Sequence, residues 1–96
     1  MKDSNSYKLD YDEAFNRALD TARKCYTVED SDRTTGKINC KTQSSIWSWG
    51  ESVIIEIRRI GSGVTEITVT SSPSAQLFDW GKSKSNIEIF FNKFKS

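Results

Sequence analysis

The sequence predicts an α+β fold: a single domain in the order α-β-β-β-β-α, a four-stranded antiparallel sheet with both helices packed on one face. Three observations predict it. An apolar stripe of helical period runs near the start, the period falls to two through the middle, and a bulkier helical stripe returns at the end.

The first stripe is Tyr11, Ala14, Phe15, Ala18, Leu19 and Ala22, the spacing of a helix with one buried face. Asp10 is placed to cap it and Glu13 to answer as the capping-box partner. Asp12 and Glu13 suit the positive end of the helix dipole, and Arg23 and Lys24 the negative end. The spacing therefore predicts a helix over 11–24. Residues 1–9 are polar, lack any apolar periodicity and are expected to fray.

From Tyr26 the period changes. Tyr26 to Glu29 reads as a short strand, Asp30 to Gly36 as a turn, and Lys37 to Gln43 as a second strand with Ile38, Cys40 and Thr42 on one face. The longest strand is predicted over Glu51 to Ile60, with Val53, Ile55 and Ile57 on one face and Glu56 and Arg58 on the other, although Ile54 and Ile60 interrupt that polar face. Gly61-Ser62-Gly63 supplies a turn, because glycine reaches positive φ without steric cost. Val64 to Ser71 returns as the fourth strand, with Thr65, Ile67 and Val69 on one face. Ser71-Ser72-Pro73-Ser74-Ala75 closes it, since proline cannot donate to a ladder. The last stripe is Ile87, Phe90, Phe91 and Phe94, which must be covered by a sheet or helix to stay out of water.

Composition bounds the function. A chain of 96 residues fits one domain able to bury a modest core. It is 35% hydrophobic and 28% charged, with three Trp, three Tyr and five Phe, a folded rather than disordered composition. Its longest apolar run, Val53-Ile54-Ile55, falls far short of the ~20 residues that span a bilayer, and the start lacks the apolar segment of a secretory signal. A cytoplasmic protein with no membrane partner is the expectation. The net charge of +1 argues against a phosphate-driven nucleic-acid binder. Residues 1–32 carry five basic and eight acidic side chains, and residues 33–96 nine basic and five acidic. Lys82, Lys84, Lys93 and Lys95 read as the solvated side of the last helix.

Cys25 and Cys40 are too few for a disulfide framework and match no zinc spacing; the expectation is that both are reduced and mostly buried. The sequence has no histidine, the commonest general base and metal ligand. No metal and no cofactor are expected. Asp30-Ser31-Asp32 opens like a calcium loop, but Arg33 follows and the closing glutamate is missing. Gly61-Ser62-Gly63 lacks the rest of a phosphate loop. Both read as turns.

All three tryptophans stand beside glycine-marked junctions, in Ser45-Ile46-Trp47-Ser48-Trp49-Gly50 and Asp79-Trp80-Gly81. In an extended segment Trp47 and Trp49 point to one face, where each offers ~200 Å² to a ring or partner side chain. The reading favoured over that one is that they cover the sheet end against a helix, because a small domain needs large side chains to fill its core. Asp79 precedes the last helix and can accept from its first turn. Trp47, Trp49, Asp79 and Trp80 are the candidate ligand- or partner-binding residues, and no catalytic residue is assigned.

The order of these motifs, a Gly-x-Ile strand start, a Ser-Trp-Gly element, a Ser-ended strand and an Asp-x-Gly before the last helix, resembles small bacterial proteins similar to the domain of unknown function 1499. The matching positions are Gly36, Ile38, Trp47, Trp49, Gly50, Ser71, Asp79, Gly81 and Ile87, and the resemblance covers about residues 10–95. It departs at Glu51 and Ser52, where paired aspartates would stand, and in the lack of arginine in the last helix. The resemblance implies architecture, and no established activity. The functional expectation is a non-enzymatic binding or interaction module with a protein partner, monomeric or homodimeric; the alternative is an immunity or inhibitor protein that neutralises a toxin or enzyme.

Overall fold

A computed structural model describes residues 2–42, 51–73 and 80–95. Five strands and two helices follow one another as β1 (Lys2–Tyr7), α1 (Tyr11–Cys25), β2 (Thr27–Asp32), β3 (Lys37–Lys41), β4 (Glu51–Gly61), β5 (Val64–Pro73) and α2 (Trp80–Lys95). The strands form one antiparallel sheet in the order β1-β5-β4-β3-β2.

The four-stranded expectation is therefore corrected to five strands, and the correction lies in the segment expected to fray. β1 pairs with β5 from Lys2↔Thr70 to Tyr7↔Thr65. Hydrophobic alternation could not announce it, because Lys2 to Ser6 are exposed and only Tyr7 is half-buried. Backbone pairing holds the strand, aided by a 2.8 Å hydrogen bond between the Ser4 and Thr68 hydroxyls. β2 also runs to Asp32, three residues beyond the expected end, with a bulge between Val28 and Asp30. α1 then joins one edge of the sheet to the other, because β1 and β2 are the two outer strands.

One face of the sheet is buried. Its side chains are Ile38 and Cys40 on β3, Val53, Ile55 and Ile57 on β4, and Thr65, Ile67, Val69 and Ser71 on β5. α1 contributes Ala14, Phe15, Ala18 and Ala22, and α2 contributes Ile87, Phe90, Phe91 and Phe94, all to the same core. The three alanines on α1 let it approach the sheet closely, and the three phenylalanines on α2 fill the remaining depth. Phe90 lies edge-on to Phe91 at 5.5 Å and is stacked with Phe94 at 6.0 Å and Tyr26 at 6.4 Å.

The helix ends are defined locally. The Asp10 carboxylate accepts from the Glu13 N–H at 2.8 Å, and Asp12 and Glu13 follow in the first turn. At the other end the Tyr26 N–H donates to the Ala22 carbonyl at 2.7 Å. The helices run antiparallel, with Arg17 Nη2 donating to the Phe94 carbonyl at 3.0 Å and its guanidinium 4.7 Å from the Phe94 ring centroid.

The β2–β3 turn is tied back onto the body of the protein. Gly36 adopts φ +75°, and its carbonyl accepts from the Ile57 N–H at 2.7 Å. The Tyr11 hydroxyl donates to the Arg33 carbonyl at 2.6 Å. The Arg33 guanidinium lies 4.7 Å from the Phe15 ring centroid, bonds to Asn16 Oδ1 and pairs with Asp12 at 3.2 Å. An exposed pair of that kind contributes ~1 kcal/mol at most, so the turn is held mainly by its backbone and ring contacts.

Candidate functional site: one end of the sheet

Register brings the strand ends that flank 43–50, and the strand end that precedes 74–79, to one end of the sheet. β3 leaves the ladder after Lys41, which pairs with Ser52, and β4 enters at Glu51, which pairs with Pro73 at the end of β5. Thr27, the first residue of β2, pairs with Lys41 at the same end. Segments 43–50 and 74–79 are thus anchored on neighbouring strands. Trp47, Trp49 and Asp79 lie outside the described residues, and Trp80 is the first residue of α2. Of the four predicted site residues, the structure places only Trp80, by its backbone. The strand residues that flank the undescribed stretches, Lys41, Glu51 and Pro73, are brought to this end.

Polar groups are buried beneath it. Ser71 is fully buried, and the Tyr26 hydroxyl donates to the Asn86 carbonyl at 2.5 Å. The Asn86 Nδ2 is buried without a hydrogen-bond partner among the described residues. Leaving such a donor unsatisfied costs ~1–3 kcal/mol. Periodicity could not single out Asn86, which sits beside Ile87 at the margin of the apolar stripe. Tyr26 is expected to open a strand but instead caps the end of α1, with β2 beginning at Thr27, and its link to α2 carried no signal.

Cys40 lies under the same end, and burial pushes its thiol from 9.0 up to about 12, with the Glu29 carboxylate adding a smaller push in the same direction. Burial also raises the Cys25 thiol, against the opposing influence of Lys93 and Lys24. Both cysteines are free. Iodoacetamide at about pH 8 is therefore expected to alkylate Cys25 well before Cys40, with both reacting at similar rates in denaturant; mass spectrometry reads the order. The folded Cys40 keeps its proton where the unfolded thiol has lost it. Its contribution to stability is accordingly complete below pH 9.0 and declines as the pH rises towards about 12.

Among the described residues, two open grooves lie away from this end. One of about 330 Å³ at the opposite end is lined by Asp10, Tyr11, Asp12, Arg59, Val64 and Thr65. Its polar groups are engaged in structure: Asp10 caps α1, Asp12 pairs with Arg33, Tyr11 holds the Arg33 carbonyl, and the Thr65 hydroxyl donates to the Leu9 carbonyl at 2.9 Å. The other, about 300 Å³ between the helices, includes Arg17, Asp20, Lys24 and Lys93. There Lys24 pairs with Asp20 at 3.1 Å, and Arg17 is committed to Phe94. Among the described residues, no group of three or more Cys, Asp or Glu side chains could hold a metal ion, and no helix is long and apolar enough to cross a membrane.

A scan against protein-family models finds no matching family, and a search of the curated proteins finds no match. No residue role therefore comes from a relative, and the sheet end stands on its own geometry.

Proposed function

We propose that this chain is a non-enzymatic binding module that engages a protein partner through the tryptophan-bearing end of its sheet. The observation that carries the reading is the Glu51↔Pro73 pairing beside Lys41↔Ser52, which sets the strand ends on either side of the Trp47–Trp49 stretch next to the strand end that leads towards Asp79 and Trp80. Large aromatic side chains are the usual anchors of protein interfaces. The free thiols support a reducing, cytoplasmic setting for that interaction.

Affinity capture from the cell of origin tests the reading, using the immobilised chain beside Trp47→Ala and Trp49→Ala variants and an Arg59→Ala control from the far groove. A specific partner is expected to be retained by the parent and the control, and to be lost or weakened at least about tenfold by one tryptophan variant. Equal retention on all four would contradict it. If the partner is a toxin or enzyme whose activity the chain abolishes, the module is an inhibitor or immunity protein.

A further inference from the structure

We infer that β1 is a self-pairing edge through which two copies of this chain join their sheets. The alternation of hydrogen bonds across the sheet shows which groups of β1 face away from β5. The Ile57 N–H donates to Gly36 on the β3 side, so the odd residues of β4 bond towards β3 and the even ones towards β5. Glu56↔Thr68 and Ile54↔Thr70 are then hydrogen-bonded pairs, which leaves Ile67 and Val69 to bond Asn5 and Asp3. The N–H and C=O groups of Lys2, Ser4 and Ser6 therefore point away from the sheet. In the single chain the outward Ser4 N–H donates to the Asp3 carboxylate at 2.9 Å, a bond that pairing exchanges for one to the second copy's backbone, releasing the carboxylate.

The two edges of the sheet differ. β2 carries a bulge and the exposed carboxylates of Glu29, Asp30 and Asp32, features that repel a second strand. β1 has a regular register, no proline, and one charge of each sign, Lys2 and Asp3. Lys2 to Ser6 are exposed.

A two-fold pairing must match outward groups with outward groups. The register that uses all three sets Ser4 against Ser4 of the second copy and Lys2 against Ser6, so no like charges are directly opposed. It also sets Asp3 opposite Asn5, twice. Those are non-hydrogen-bonded positions, where side chains come closest, and each carboxylate can accept from the amide of the other copy. The result is a continuous ten-stranded sheet with both helical layers on the same side. A second copy fits better than an unrelated strand because the Asp3–Asn5 complementarity is built into β1 itself.

Sedimentation equilibrium of the 96-residue chain over a concentration series tests this. The expected result is a concentration-dependent rise in mass from 10.9 kDa towards twice that value. Asn5→Asp places two carboxylates face to face on an exposed position and should weaken association roughly tenfold. The swapped double variant Asp3→Asn with Asn5→Asp restores the pair and should restore association. Ser4→Pro removes an outward N–H without taking a ladder bond from β5 and should leave a monomer, with circular dichroism confirming its fold. A parent chain that stays at 10.9 kDa throughout would overturn the inference. So would a dimer indifferent to Asn5→Asp, or a double variant no better than the single one.

Discussion

Gly36→Ala is expected to cost about 3 kcal/mol or more of folding stability, while Gly63→Ala costs about 1 kcal/mol. Both glycines have positive φ, +75° and +68°. The surroundings differ. A Cβ on Gly36 would stand 2.3 Å from the Ile57 carbonyl oxygen and 2.8 Å from the Tyr11 hydroxyl, whereas one on Gly63 would meet nothing within 4 Å. At Gly63 only backbone strain is added. At Gly36 the turn must move away from β4, which breaks the Ile57 N–H bond to the Gly36 carbonyl and displaces the Tyr11 hydroxyl from Arg33. Urea denaturation of the two variants side by side separates strain from collision. Equal losses would show that the β2–β3 turn is not clamped against β4.

Phe90→Ala is expected to cost about 3–5 kcal/mol, a large share of what a domain of this size has to lose. Phe90 is fully buried and is the one ring in contact with Tyr26, Phe91 and Phe94 alike among the described stacked pairs. Its removal would open a cavity between α2 and the sheet and loosen the packing beside the Tyr26–Asn86 link. The neighbouring Ile89 is 50% exposed, so Ile89→Ala should stay within about 0.5 kcal/mol of the parent. Thermal or chemical unfolding of the pair measures the contrast directly. Similar effects at the two positions would mean that α2 does not present its phenylalanine stripe to the core.

The parts of the fold legible in the sequence are those whose burial is periodic. α1 was marked by its apolar stripe and by Asp10, whose carboxylate does accept from the Glu13 N–H. The inward faces of β4 and β5 were marked by Val53, Ile55 and Ile57 and by Thr65, Ile67 and Val69, all buried. The stripe of α2 was marked by Ile87, Phe90, Phe91 and Phe94. β1 was not legible, because an edge strand exposed from Lys2 to Ser6 has no apolar side to alternate with a polar one. β2 beyond Glu29 was hidden for a related reason: Asp30, Ser31 and Asp32 read as turn residues by composition, yet they pair with β3 through their backbone.

The candidate site was legible as residue types rather than as a place. The stretches around Trp47 and Asp79 are far apart in sequence and gave no sign that the strand ends beside them meet; the Glu51↔Pro73 register supplies that. Asn86 carried no signal, since its burial follows from α2 lying on the sheet and from the Tyr26 hydroxyl holding its carbonyl.

Acrylamide quenching of variants that retain a single tryptophan, the other two replaced by phenylalanine, tests the binding-surface reading most directly. Trp47 or Trp49 is expected to emit at long wavelength, to be quenched nearly as fast as a free indole, and to become protected when the partner is added. Three blue-shifted tryptophans, all inaccessible to the quencher in the free protein, would contradict a tryptophan-lined contact surface and leave these side chains as core.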